Sequence, residues 1–283
     1  MIQDSELKAL TDAWGTRISL NDLILTEAAD ALPDDARHAC HVAEMLGVTY
    51  VPRKKRSLSR MFFEQQITYI VVEHRSKALS LHKSDDSNNK FIYHPGISLL
   101  RAKAMQRGEQ DKLLNLAQVE PGDIILDGTA GLCSDALMFS FAVGERGLCI
   151  ALEASPYVAF IVAHGLQTYD TSLPDLQDAM RRLRLVCDRS QDVFEKLPDR
   201  SVDIVYLDPM FEHAIKRSAA MASLRPFSVA KNWTVGDILQ ARRIARKAVV
   251  IKARRHTDWL RILPGFDLAP GRGSTTYAVA IST

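Results

Sequence analysis

Residues 124–133 read Ile124-Ile125-Leu126-Asp127-Gly128-Thr129-Ala130-Gly131-Leu132-Cys133, and this stretch decides the fold. Ile124 to Leu126 is a short apolar run of the kind a strand buried on both faces shows. Asp127 stands at its carboxyl end. A loop of small residues then leads into Asp135 to Val143, apolar on every side, which reads as a buried helix. Strand, small-residue loop and helix form the opening unit of an open α/β sheet, in which ligands sit outside the carboxyl ends of the strands. Gly128, Thr129, Ala130 and Gly131 let backbone approach such a ligand without side chains in the way.

Outward from this unit, strands and helices alternate from about residue 97, which predicts a parallel sheet wrapped by helices. Ile97 to Gln118 is largely helical, Leu148 to Leu152 is a strand, and Ser155-Pro156 supplies an N-cap and a first-turn proline for a helix to about Gly165. Pro174 to Leu183 is an amphipathic helix. Leu183 to Cys187 and Val202 to Leu207 are strands. Thr234 and Asp237 make a capping box for a helix to about Lys247, Ala248 to Ala253 is a strand, and Phe266 to Leu268 with Thr276 to Ile281 form a closing antiparallel hairpin. Ahead of it, residues 34–93 predict a helix (Asp34 to Leu46), a short strand (Val48 to Val51), a helix (Leu58 to Gln66) and strands at Thr68 to Glu73, Lys77 to His82 and Phe91 to Tyr93. The expected organisation is a small α+β N-terminal domain, 1–93, and an α/β domain, 97–283.

The chain has 283 residues, 36 Lys plus Arg against 34 Asp plus Glu, and is 47% hydrophobic, which excludes disorder and collagen-like repeats. Its longest nearly apolar run, Ala136 to Val143, is far short of the roughly 20 residues a spanning helix needs. Met1 to Glu6 shows no basic segment before an apolar one, so a cytoplasmic protein without membrane association is expected. Cysteines at 40, 133, 149 and 187 match neither a zinc pair nor a disulfide framework; reduced thiols and no metal are expected. Charge is gathered in two places. Arg53, Lys54, Lys55, Arg56 and Arg60 fall within ten residues without an acid. Arg242, Arg243, Arg246, Lys247, Lys252, Arg254, Arg255 and Arg261 face only Asp258. Such clusters can neutralise phosphates, although a solvated surface explains either one equally well.

Charge also narrows the ligand. Gly128 and Gly131 match neither a dinucleotide fingerprint nor a phosphate-binding loop, and no lysine follows them. Asp127 would repel phosphate and attract a cation, which suits S-adenosylmethionine, with its ammonium and sulfonium, better than NAD or ATP. Glu153 follows the next strand, where it can accept from both ribose hydroxyls. Asp188, with Arg189 and Ser190, follows the third strand, where an adenine amino group could be met. The fourth strand ends in Asp208-Pro209-Met210-Phe211, which resembles the Asp/Asn-Pro-Pro-Phe/Tyr motif of methyltransferases acting on exocyclic amines of bases. The lone pair of such an amine is delocalised into the ring. Asp208 and the Pro209 carbonyl could hold its N–H groups and stabilise charge developing on nitrogen, while Phe211 could stack on an extruded base. An N-capping Asp, a helix-starting Pro and a core Phe are the structural alternative.

Thr129-Ala130-Gly131-Leu132-x-x-Asp135-Ala136, Tyr206-Leu207-Asp208-Pro209-Met210-Phe211-x-His213-x-x-Lys216 and Arg225-x-Phe227 together resemble the RsmJ-type class I methyltransferases, over about 97–283. Over nearly its whole length, including Pro52 to Ser57, the chain also resembles uncharacterised RsmJ-like proteins of Gram-positive bacteria. The resemblance implies a Rossmann-like seven-stranded sheet, methylation of a guanine N2 amine in small-subunit ribosomal RNA, and S-adenosylmethionine contacts near Ser134, Asp135, Glu153, Ala154, Arg189, Ser190 and Asp208. The family's Gly-Arg-Asp is Cys133-Ser134-Asp135 here, and its Glu-Arg is Glu153-Ala154. RNA, bound through the clusters at Arg53 to Arg60 and Arg242 to Arg261, is the expected partner. A small-molecule methyltransferase and a non-catalytic RNA-binding protein are the alternatives.

Overall fold

The computed structural model describes residues 20, 22–209, 224–229, 233–254, 263–271, 273 and 275–281. The expectations placed on Phe211, His213, Arg255 and Arg261 lie outside the described residues.

The first sheet has five strands: β1 (Leu23–Glu27), β2 (Thr49–Tyr50), β3 (Tyr69–Glu73), β4 (Leu79–Lys83) and β5 (Asp86–Ile92), in the order β2-β1-β3-β4-β5. Strand β1, which the sequence reading missed, is its parallel hinge, pairing with β2 on one side and β3 on the other. The two crossovers are α1 (Pro33–Leu46) and α2 (Leu58–Gln65). Alternation along the strands splits their side chains between two faces. Ile24, Ile70 and Val72 meet Met61 and Phe62 of α2, while Leu23, Leu25 and Val71 meet Ala39, Val42 and Ala43 of α1.

After α3 (Ile97–Gln106) and α4 (Lys112–Leu116) the second sheet begins with β6 (Ile124–Asp127), followed by α5 (Ser134–Val143), β7 (Leu148–Glu153), α6 (Pro156–Thr168), α7 (Pro174–Arg182), β8 (Arg184–Cys187), α8 (Ser190–Lys196) and β9 (Val202–Leu207). It ends with α9 (Val235–Ile244), β10 (Ala245–Arg254), β11 (Asp267–Pro270) and β12 (Thr275–Ile281). The order is β11-β12-β10-β9-β6-β7-β8, the expected seven strands. From β8 to β10 all neighbours are parallel; β12 runs antiparallel to β10 and to β11.

The continuous apolar runs follow from burial on both faces. Ile125, Ala151, Ile204 and Tyr206 face α5 and its neighbours, whereas Leu126, Ile150, Val205 and Leu207 face α8 and α9. Ser155 caps α6 through Val158 N–H, with Pro156 at its first position. Thr234 and Asp237 exchange the expected capping-box bonds at α9. That helix stops at Ile244, short of Lys247, because Ala245 pairs with Val202 and opens β10.

The two sheets share one core. Leu25, Val71, Leu81 and Phe91 belong to the same buried cluster as Ile125, Phe139 and Phe160. At the junction Tyr93 lies against Gly165 of α6 so closely that a Cβ there would overlap its ring. Alanine favours a helix interior over glycine by about 1 kcal/mol, but overpacking a buried contact costs about 1–3 kcal/mol. Gly165→Ala is therefore expected to be destabilised, with a lowered urea midpoint and unchanged m-value; a raised midpoint would refute the close packing.

Candidate active site

Strand β6 lies at the point where the winding reverses, with β7 and β8 on one side and β9 and β10 on the other. At such a switch point the loops leave in opposite directions and open a crevice. A cavity of about 580 Å³ fills it here, inside the ~300–1,000 Å³ range of small-molecule sites. Its walls include Asp127, Gly128, Thr129, Ala130, Gly131, Ser134, Asp135, Glu153, Ala154, Arg189, Ser190 and Asp208. The structure thus brings together every expected cofactor contact except Asp188, whose carboxylate accepts the Arg189 N–H at 2.7 Å just short of the wall. Pro209 is buried directly behind Asp208.

The strand-end acids organise the loops as well as facing the cavity. Asp127 is 1% exposed; its Oδ1 accepts from the Thr129 N–H at 2.8 Å and from Thr129 Oγ1 at 3.3 Å. Thr129 Oγ1 in turn accepts the Asp208 N–H at 2.6 Å, tying β6 to β9. Glu153 accepts the Gly131 N–H at 3.0 Å on one oxygen and the Ser155 N–H at 2.8 Å on the other, tying β6 to β7. Each of its oxygens has a second lone pair for a ligand hydroxyl. Gly131 adopts a φ of +49°, where side chains are strained. Gly128 has another reason to be small: a Cβ would lie 2.6 Å from Leu207 Cδ2 and 3.1 Å from Phe194. Its carbonyl accepts from Ser190 Oγ.

A chain of charge crosses the floor. Lys252 Nζ lies 2.9 Å from Asp135 Oδ2 and 2.9 Å from Asp208 Oδ2. Asp135 also accepts from the Tyr206 hydroxyl at 2.7 Å and from Arg101 at 2.6 Å, and Arg101 grips Asp111 with two further bonds. Burial works against ionised Asp135, but Lys252 and Arg101 outweigh it and hold its carboxyl well below the usual range. Burial likewise works against the Lys252 ammonium, and Asp135 and Asp208 overcome it. Asp127 lacks such a cation. Burial, reinforced by Asp135 and Asp208 and opposed by the Thr129 donors, pushes its carboxyl up to about 7. Burial pushes the Cys133 thiol up, which fits a packing residue better than a nucleophile.

Lys252 and Tyr206 were not expected in the wall; the sequence signal for Lys252 was a lone cation inside Val249-Val250-Ile251-Lys252-Ala253. The cluster to which it was assigned is not one open patch. Arg243 bonds Asp199 and the Phe194 and Leu197 carbonyls. Arg246 bonds Asp203, Lys247 bonds Glu120 and Asp123, and Arg242 lies over the Phe266 ring. Among the described residues no group of three or more His, Cys, Asp or Glu could hold a metal ion, and no helix is long and apolar enough to cross a membrane.

The sheet, ordered β8-β7-β6-β9-β10-β12-β11 with a glycine-bearing loop and acids at successive strand ends around the cavity, is the Rossmann-like class of α/β fold. The cavity suits S-adenosylmethionine: its acids welcome cationic groups, and Glu153 has acceptor capacity for a ribose. The chain belongs to the family described as "Putative SAM-dependent methyltransferase", which it matches over residues 55–265. It is 35% identical over 217 residues to the uncharacterized protein YpiP of Bacillus subtilis (strain 168), covering 76% of this chain and 82% of that one. It is 34% identical over 139 residues to ribosomal RNA small subunit methyltransferase J of Laribacter hongkongensis (strain HLHK9), covering 46% of each. Among solved structures, TrmN from Thermus thermophilus is similar with a TM-score of 0.42 and 16% identity, over 96% of this chain and 77% of that one.

The Asp127 carboxyl has a pH consequence. Its folded pKa is raised from an ordinary 3.8 to about 7, so between those values the native state holds a proton that the unfolded chain has released. Stability from this group is full below pH 4 and lost as pH rises to 7. Urea unfolding at pH 4 to 8 is expected to show wild type losing roughly 2–4 kcal/mol relative to Asp127→Asn across that window; parallel curves would contradict a buried, raised Asp127.

Proposed function

We propose that this S-adenosylmethionine-dependent methyltransferase methylates an exocyclic amine of guanine in RNA, its target being small-subunit ribosomal RNA. The observation that carries this reading is the Asp208 carboxylate at the end of β9, in the wall of the cavity and followed by Pro209. The names of the ribosomal RNA relatives support the substrate class.

When bound, S-adenosylmethionine supplies an electrophilic methyl group on its sulfonium. On the protein side, Glu153 would accept from the ribose hydroxyls, the loop Gly128 to Gly131 would hold the cofactor with Ser134, Asp135 and Ala154 beside it, and Arg189 and Ser190 would hold the adenine end. Asp127 and Asp208 favour its positive groups. Asp208 and the Pro209 carbonyl hold the amine N–H groups, so that nitrogen electron density is directed at the methyl carbon as the C–S bond breaks. The nitrogen, cationic once it has gained the methyl, then releases one N–H proton to solvent. Phe211 is assigned the stacking role.

We also propose that 97–283 is the catalytic domain and that 1–93 docks RNA, the whole acting in the cytoplasm. The turn after β2 supports this. Glu27 holds the Arg53 N–H at 2.7 Å, and Arg53 and Arg56 bond one another's carbonyls. Lys54 and Lys55, both exposed, stand at the tip with φ of +45° and +62°. Left-handed backbone costs a side-chain-bearing residue about 1–2 kcal/mol, and glycine would avoid it, so the tip is kept for its two ammonium groups. Phosphates are their natural partner.

Two experiments test the reading. Asp208→Ala is expected to lose at least about 100-fold in methyl transfer while cofactor affinity by calorimetry falls far less than that, and nucleoside mass spectrometry of rRNA from cells lacking the protein should show one methylguanosine missing. Unchanged turnover, or an unchanged nucleoside profile, rejects it. Lys54→Glu with Lys55→Glu should weaken rRNA binding and flatten its salt dependence by roughly one to two units of slope; an unaltered slope would remove the turn from the interface.

A further inference from the structure

Replacing a buried ion pair by well-packed apolar residues is often neutral or stabilising, so a lysine kept inside an apolar strand at the edge of an active cavity calls for an explanation. Lys252 sits on β10 between Ile251 and Ala253, both buried, and its ammonium reaches out of the strand to two carboxylates at once. Those acids come from different elements: Asp135 from the first turn of α5 and Asp208 from the end of β9. Arg101 is already committed to Asp135 and Asp111.

We propose that Lys252 is a positioning residue for methyl transfer: by bridging Asp135 and Asp208 it holds the Asp208 carboxylate in one orientation. The inference rests on the reading of Asp208 as the group that receives the substrate amine. An acceptor carboxylate must be ionised and aimed; a protonated or rotated one presents the wrong hydrogen-bonding pattern.

The groups facing Asp208 make the competition explicit. Asp127 approaches from the end of β6, Asp135 from α5, Tyr206 from β9 and Tyr277 from β12, with Arg101 of α3 acting through Asp135. Asp127 is fully buried, whereas Asp135 and Asp208 keep partial exposure beside Lys252. Asp135 and Asp208 share the ammonium, and Asp127, whose partners are the backbone and hydroxyl of Thr129, is the one that protonates near neutrality.

The test follows the Asp208 carboxyl directly, by 13C NMR of aspartate-labelled full-length protein at fixed pH, with the resonance assigned through Asp208→Asn. Lys252→Met and Lys252→Gln are expected to displace and broaden that resonance as the carboxylate loses its bridge, while Lys252→Arg, which keeps a charged donor, restores it. In rRNA methylation assays kcat should fall roughly tenfold or more in Met and Gln, with KM for the cofactor changed much less, and return to within about threefold in Arg. If Lys252→Met does not fold, the Gln and Arg pair carries the same comparison. An Asp208 resonance identical in all variants overturns the proposal. Wild-type protein that transfers no methyl to rRNA would overturn the substrate reading instead, and the NMR comparison would still decide the role of Lys252.

Discussion

Two carboxylates bridged by one ammonium are the constraint on which this structure turns. Asp135 and Asp208 arrive from α5 and β9, and Lys252 from β10, so three elements must meet within hydrogen-bond distance for the charges to be tolerable at the wall of the cavity, with Asp127 of β6 tied in through Thr129. Arg101 extends the requirement to α3, and through Asp111, which also caps α4, to the segment preceding the sheet. Asp135 gains further from lying in the first turn of α5, where the helix dipole favours an anion. The acids serve the fold and the site together: a change that unseats one of them disturbs strand ends distant in sequence.

Apolar packing joins the N-terminal sheet to the second sheet. The sheets are continuous through one apolar core, and at its rim Tyr69 of β3 packs on Tyr157 of α6 with ring centroids 3.9 Å apart, while Phe227 approaches both Tyr69 and Phe91. Ser155 bonds the Phe227 carbonyl at 2.6 Å, so the segment that closes over the cavity with Leu224 and Ser228 is pinned between the loop after β7 and the first sheet. Through these packed aromatic rings the N-terminal sheet contacts the segment that lines the cavity.

How far the sequence revealed this depends on the range of the interactions. Features fixed by neighbours in the chain were legible: both-face strands such as Val202 to Leu207, the Ser155-Pro156 helix start, the Thr234 and Asp237 box, and acids at strand ends. Strand β1 was not, although Asn21-Asp22 stands before it, because so short an apolar run does not by itself separate a strand from a piece of helix and its place is set by pairing with segments around residues 49 and 69. The charges from 242 to 254 were misleading for the same reason. Counted along the chain they make a basic patch, yet their partners, Glu120, Asp135, Asp199 and Asp203, come from elements the count does not see. Gly128 was legible as small but not as small on account of Leu207.

The charge balance also bears on what the cavity can hold. Lys252 and Arg101 are matched to acids, and turning either toward a phosphate would strand a carboxylate in a buried place. Glu153 already takes two backbone N–H groups. Asp127 is the adjustable member, since its proton is held weakly near neutral pH. A ligand bringing positive charge beside it favours the ionised form, and the ionised form in turn favours the ligand. By linkage these are one free energy seen from two sides. An anionic ligand would drive the proton onto Asp127 and gain nothing from the other acids. The preference for a cationic methyl donor is therefore built into the protonation equilibrium of the site as well as into its shape.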